Sequence, residues 1–539
     1  MAELLHPGVY VQEVPSAVRP IEGVSTSTAA FVGVAEKGPV PGTLLPSGRA
    51  AQPVLVTGLT EYSRQFGGFL PGSFLTYAAR AFFENGGRRL YVVRVVGRSV
   101  TSPSQPARAA VSPAAATPAI SAANPGAWGN RLSVRIQASS DGDANNFKLV
   151  VLDGGTLVEA FDGITFQDSP TLGPTATNPA EYGRTAVNSR SEYIAITANF
   201  TARPANATIQ LANGSDGPPA LPSDFIGAAA VDSTVTGTGL RALDKITDVN
   251  LIALPGQGDP ATVNAGMAYC KTRPLQDCFF IGDSGSVSSV DAARIEGTSP
   301  TVRTVADVRT FATTGVGGTP LDKAAGDYGA IYFPWVLAAD PLGRGRNPTI
   351  LLPPSPFLAG LYARIDNSRG VFKAPAGTEA GVFGAVGVAV NVSDTEQDQL
   401  NPISVNVIRA VPGSGLVAWG TRTIGSDASW RYIPVRRMAI FLRVSIYYGI
   451  QWAVFEPNDE PLWASLRLNI RAFMLTQFRA GAFQGSKPDD AFFVKCDSST
   501  TTQQDIDNGV VNILVGFAPL KPAEFVVLKL SQKVNQPAV

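Results

Sequence analysis

Phe455-Glu456-Pro457-Asn458-Asp459-Glu460-Pro461-Leu462-Trp463 is a loop that becomes a helix. Pro461 suits a first helical position, where its missing N–H would have no intrahelical partner anyway. The acidic residues ahead of it suit the positive end of the helix dipole. Leu462, Leu466, Ile470, Phe473 and Met474 recur at three-to-four spacing, the mark of a buried stripe. Gly481 then ends the helix, because glycine takes a left-handed cap cheaply. Upstream, the spacing predicts an amphipathic helix over 435 to about 452, with Arg436, Arg437 and Arg443 on its polar side and Ile440, Phe441, Val444 and Tyr448 inward. Downstream lie three strand-like runs, 491–496, 509–517 and 524–531, with Pro519 and Pro522 between the last two. Residues 430–539 thus read as a small α/β unit closing on a strand near the terminus. Little chain tethers that strand, so it is free to pair outside its own subunit.

The same stretch carries a family resemblance. Phe455-Glu456-Pro457-Asn458 with Leu462-Trp463, Gly481-Ala482, Gly485, Ala491-Phe492-Phe493-Val494-Lys495-Cys496-Asp497 and Pro522-Ala523-Glu524-Phe525 follow one another in an order that resembles the C-terminal domain of contractile tail sheath proteins. That family coats the tubes of contractile-tailed phages and related injection particles. Further motifs are similar to it: His6-Pro7-Gly8-Val9-Tyr10, Ile21-Glu22-Gly23-Val24-Ser25-Thr26-Ser27, Phe82-Phe83-Glu84-Asn85-Gly86-Gly87, Tyr91-Val92-Val93-Arg94-Val95 and the turn at Val371-Phe372-Lys373-Ala374-Pro375-Ala376.

Composition bounds the alternatives. A chain of 539 residues, 45% hydrophobic and 16% charged, holds two to four domains and can bury a sizeable core. Lys and Arg number 43 and Asp and Glu 43, so net charge makes no case for nucleic acid as a partner. Near-neutrality also leaves little repulsion between copies. No apolar run approaches the roughly 20 residues of a membrane helix, and the N-terminus lacks a signal-peptide pattern. The expectation is a soluble chain made in a cytoplasm, with Cys270, Cys278 and Cys496 forming no framework. His6 is the single histidine, which excludes a multi-histidine metal site.

In chain order, residues 1–24 form a leading arm. Val9, Tyr10, Val11, Gln12, Glu13 and Val14 alternate as one strand between Pro7 and Pro15, with no hairpin partner in sequence. From pattern alone this is either an edge strand of its own domain or a strand given away, since a lone strand cannot satisfy its backbone. Residues 25–98 read as β-α-β, the first part of a core α/β region. Residues 99–220 are an inserted β-rich domain of short alternating runs. Residues 221–345 read as an α/β middle domain with β-α-β spacing and a parallel sheet, 346–429 as a return segment of the core region, and 430–539 as the C-terminal unit.

The best enzyme motif is Gly256-Gln257-Gly258-Asp259-Pro260-Ala261, with Asp283 ending the next strand, the outline of a dinucleotide-binding turn. Pro260 removes an N–H from the helix start that should hold the pyrophosphate. A NAD(P)-dependent oxidoreductase built on 245–285 is therefore the alternative, and a loop in a structural domain the better reading. Gly282-Asp283-Ser284-Gly285-Ser286 lacks the second glycine of a nucleophile elbow. Asp322, Asp327 and Asp340 are acids that nothing binds into a site. No catalytic, cofactor or metal residue is assigned.

The expected fold is mixed α/β and multidomain. The resemblance implies an inner α/β domain completed by strands exchanged between subunits, a central α/β domain and an outward-facing insertion. It implies a homo-oligomeric sheath around an inner tube protein, with baseplate and terminator proteins at its ends, in a phage tail or a phage tail-like particle assembled in a bacterial cytoplasm. The exchanged strands would be Val9–Val14 and Phe525, Val526, Val527, Leu528, Lys529 and Leu530. Arg467, Arg471 and Arg479 are either a solvated flank with internal ion pairs or a cationic face toward the tube, a choice the resemblance tilts to the tube. No nucleic acid and no direct membrane insertion are expected.

Overall fold

The computed structural model describes residues 19–45, 48–98, 106–110, 120–165, 183–197, 202–286, 300–315, 317–343, 346–525 and 527. The chain forms two compact units, one from 25–437 and one from 1–24 with 438–539. The helix Ile433–Gly449 contributes its first turn to the large unit and the rest to the small one.

The large unit is organised on one eight-stranded sheet, in the order Gly415–Ala418, Val405–Val411, Gly329–Phe333, Phe279–Asp283, Leu251–Ala253, Ala29–Val34, Leu90–Val95 and Val54–Val56. The six inner strands run parallel, and the two edge strands are antiparallel to their neighbours. Ala29–Val34 and Phe279–Asp283 are apolar almost throughout because parallel strands are covered on both faces. Helices Leu75–Glu84, Pro260–Thr272 and Ser355–Arg369 pack against it. The first ends at Asn85, whose side chain donates to Ala81 O and Phe383 O at 2.8 and 2.9 Å. The segments separated in the sequence reading as 25–98, 221–345 and 346–429 share this sheet. Crossover connections longer than any sequence window bring the parallel strands together.

The insertion lies between Leu90–Val95 and Leu251–Ala253. Its four antiparallel strands, Thr156–Thr165, Asn146–Asp153, Leu132–Ala138 and Ala207–Gln210, enclose Val134, Ile136, Phe147, Leu149 and Trp128. Several contacts fix it to the α/β core. Lys37 is 8% exposed, with its ammonium over the rings of Tyr193 (4.0 Å) and Trp128 (5.9 Å). Arg131 bridges Glu36 at 2.7 Å and Asp153 at 3.1 Å.

Arg436 and Arg437 correct the sequence reading: both are 4% exposed, not on a solvated side. Arg436 pairs with Asp327 and lies over the Trp430 ring at 3.8 Å. Arg437 forks onto Asp366. The helical pattern counted them as polar because their buried partners lie far away in sequence.

In the small unit the Glu460–Arg479 helix forms as expected. Asp459 caps it by accepting from Leu462 N–H, Pro461 sits in its first turn, and Gly481 follows at φ 79°. Leu462, Leu466, Ile470, Phe473 and Met474 are all buried. Leu462, Trp463, Leu466 and Cys496 form a core against which Ile450, Trp452, Val511 and Ile513 pack. Tyr448, read as inward, is 41% exposed. The run 509–517 yields only the strand Leu514–Phe517. A capping box between Thr502 and Asp505 makes 503–507 helical, and Val511 and Ile513 turn into the core.

Candidate functional site

The functional candidates are surfaces rather than a cleft. In the small unit, Phe492–Lys495 pairs antiparallel with Leu514–Phe517, and among the described residues this sheet has two strands only. A two-stranded sheet is marginal by itself and its outer edges offer unpaired N–H and C=O groups. Phe493 and Leu514 on it are 46% and 53% exposed. Phe525 and Val527 are 75% and 78% exposed and belong to no strand. Val526, Leu528, Lys529 and Leu530, like Val9, Tyr10, Val11, Gln12, Glu13 and Val14, lie outside the described residues.

Residues 19–24 lie along the two long helices of the small unit. Arg19 N–H donates to Asn469 Oδ1 at 3.1 Å, and Val24 N–H donates to Ser445 Oγ at 3.1 Å. Ile21 is buried against Gly449, and the Arg19 guanidinium lies 4.6 Å above the Trp452 ring. From sequence alone these residues belong to the leading arm 1–24. The available signal was Asn469, an amide inside the apolar stripe.

The three arginines differ. Arg467 donates to Glu460 Oε1 at 2.5 Å and to Cys496 O. Arg471 pairs with Asp489 at 2.8 Å and lies over Phe492. Arg479, exposed at the end of the helix, has no ion pair among the described residues. From 438 to 525 acids outnumber bases nine to seven, so a cationic face would be local.

The Gly256 turn is filled by the protein itself. Asp283 accepts from Gly256 N–H at 3.0 Å, from Ser355 N–H at 2.7 Å and from the Ser355 hydroxyl at 2.9 Å. Burial outweighs these bonds and pushes its carboxyl up to about 7. A Cβ on Gly258 would meet Gly285 O at 2.2 Å, so strand and turn are in backbone contact. Asp322, Asp327 and Asp340 do not converge: Asp327 pairs with Arg436, Asp340 accepts from Tyr77, and Asp322 caps a turn at Ala324. Burial raises the thiols of Cys270, Cys278 and Cys496, the last to about 11, far from thiolate reactivity. Among the described residues no three His, Cys, Asp or Glu side chains converge as a metal group.

Residues 234–424 match the model of the phage tail sheath protein central domain, and 425–533 that of the phage tail sheath C-terminal domain. Together these cover more than half of the chain. A tail sheath protein of Vibrio phage KVP40 is 28% identical over 174 residues, which are 32% of this chain and 25% of that protein. A tail sheath protein of Burkholderia phage BcepMu is 24% identical over 503 residues, 90% of this chain and 89% of the relative. In fold, the chain is similar to the sheath complex of an extracellular contractile injection system in its contracted state, with TM-score 0.55 and 21% identity over 99% of both chains.

Proposed function

The chain belongs to the contractile tail sheath family, and from that premise we propose that each copy links to its neighbours through both of its ends while the polymer surrounds an inner tube. It is a structural subunit of a contractile sheath. The observation that supports the linking mechanism is the sheet of the small unit, which among the described residues has two strands, fewer than a stable sheet needs. The arm strand 9–14 of one copy and the terminal strand 525–530 of another would complete it. Backbone hydrogen bonds supply that link without a rigid side-chain fit. Stacked copies then use heterologous contacts that extend into a helix or rings.

Contraction is mechanical on this reading. Copies rotate and move outward while the strand links hold, and the contracted lattice is the lower in energy. No nucleotide or cofactor takes part, and the chain is not an enzyme. The alternative oxidoreductase has no support, since the protein's own Asp283 occupies the Gly256 turn. The inner tube is the second partner, met through the Glu460–Arg479 helix, where Arg479 has no ion pair among the described residues, and baseplate and terminator proteins close the ends. The particle is a phage tail or tail-like injection device, assembled in the bacterial cytoplasm.

Electron microscopy of the purified chain beside one starting at Arg19 tests the linking role. Ridged hollow cylinders from the full chain, lost without residues 1–18, are expected. Cylinders from both would discard the arm as the link. Monomers or dimers from both at high concentration would discard self-assembly.

A further inference from the structure

In the large unit, Ala29–Val34 pairs in parallel with Leu90–Val95 on one side and with Leu251–Ala253 on the other. Phe279–Asp283 and Gly329–Phe333 continue the sheet beyond Leu251–Ala253. The chain thus winds one way from Ala29–Val34 and later the other way from its opposite side. In open parallel sheets small molecules bind outside the carboxyl ends of the strands at such a reversal. Here that place holds a cavity of about 360 Å³. Its walls are 32–35, 94–97, Pro255 and Gln257 at the strand ends, 70–75 at the start of the helix Leu75–Glu84, and 216–220 on the return from the insertion. The volume falls within the roughly 300–1,000 Å³ of small-molecule sites.

Phe74, Phe225, Pro218, Pro219 and Pro255 make the wall largely apolar. Two polar groups interrupt it. Arg94 is 2% exposed, and its Nε donates to Ala35 O at 3.0 Å, Nη1 to Gly38 O at 2.9 Å and Pro125 O at 2.7 Å, and Nη2 to Glu36 O at 3.2 Å. One of its N–H groups is left without an acceptor, and its charge without an ion pair, among the described residues. Burial pushes the guanidinium down to about 10, while the charges of Asp216 and Glu36 hold it up. Gln257 is half-buried, and its amide makes no hydrogen bond among the described residues. Ser73 is already spent, since its hydroxyl donates to Val34 O and accepts from Leu75 N–H at 3.2 Å.

We propose that this cavity binds a small neutral aromatic molecule carrying one carbonyl, its rings against Phe74 and Phe225 and its oxygen directed to Gln257 and Arg94. The two aromatic side chains and the prolines select a flat apolar body. The two donors select an acceptor, because a buried donor left unmade costs free energy. Charge decides that the acceptor is neutral. Asp216 and Glu36 already balance Arg94 at longer range, so a carboxylate would add a further acid beside one cation, and a cationic ligand would face the guanidinium. Occupancy joins the return from the insertion to the ends of the central strands, because both form the wall. The site is independent of how copies link to one another.

Titration of the full chain with the naphthyl ketone prodan, whose emission shifts to the blue on leaving water, tests this. Saturable binding at a single site per chain is expected. Acetylnaphthalene should displace the probe at about a tenth of the concentration that naphthoate requires. A220W, which places an indole on the cavity wall, should abolish binding while keeping the parent's urea midpoint. Q257L keeps the size of the side chain and removes only its amide, so it should weaken the ketone about fivefold. Absence of saturable binding would overturn the proposal, as would unchanged binding in folded A220W. If A220W does not fold, Q257L decides: an affinity equal to the parent's would overturn the assignment of the site. Naphthoate displacing the probe as well as the ketone does would overturn the choice of a neutral ligand.

Discussion

Removing one partner of the Arg437–Asp366 pair should cost the large unit about 3–5 kcal/mol. The pair is 4% and 3% exposed. Arg437 Nη1 donates to Asp366 Oδ1 at 2.8 Å and Nη2 to Oδ2, while Nη2 also donates to Thr26 O at 3.0 Å. Thr26 Oγ1 donates to Asp366 Oδ2 at 2.8 Å, and the guanidinium stands 4.9 Å from the Tyr362 ring. Each charge is thus fully solvated by the other and by Thr26, so R437M leaves a buried carboxylate with one hydroxyl donor, and D366N leaves a buried guanidinium facing a neutral amide. At an effective dielectric near 20, two charges about 4 Å apart attract by about 4 kcal/mol, which sets the same scale. The double variant R437M/D366L removes both charges and should return to within about 1–2 kcal/mol of the parent. Urea unfolding followed by tryptophan fluorescence reads all three, and the comparison is of midpoints within the transition of the large unit. A single variant costing under about 1 kcal/mol, or a double variant worse than either single, would refute the reasoning.

Asp283 gives a pH test. Its folded-state value of about 7 lies above the ordinary carboxylate value, so the folded state holds the proton more tightly than the unfolded. Its contribution is therefore greatest at low pH and is lost as pH rises toward 7. Between pH 5 and pH 8 the parent should lose about 2–3 kcal/mol relative to D283N, measured as urea midpoints; parallel pH profiles would contradict it. L466A, in the core of the C-terminal unit at 1% exposure, should cost about 2–5 kcal/mol in that unit's transition. K37A should cost about 1–2 kcal/mol through the lost aromatic contacts, and should raise the rate at which a protease releases the insertion. R479E should weaken co-sedimentation of the chain with the proposed inner tube protein at low salt, while a variant at ion-paired Arg471 should do so less.

The parts legible in sequence were those governed by local periodicity. The stripe from Leu462 to Met474, its Asp459 cap and Pro461 start, and the alternating strands of the insertion each express their burial in their own spacing. The unread parts depended on distant partners. Arg436 and Arg437 look solvated until Asp327 and Asp366 arrive from elsewhere in the chain. The run 509–517 looks like one long strand because its apolar residues serve both a strand and a core turn. The packing of residues 19–24 depends on Ser445, Asn469 and Gly449, whose polarity or smallness has a reason only when those residues lie against them.

On the proposed reading, neighbouring copies complete the small unit's sheet. A cryo-electron reconstruction of assembled cylinders, at a resolution that follows the main chain from Arg19 back to Val9, tests it most directly. The expected result is that Phe492–Lys495 and Leu514–Phe517 are flanked by residues 9–14 of one neighbour and 525–530 of another. A sheet flanked by strands of its own chain, or left with bare edges in an intact cylinder, would contradict it.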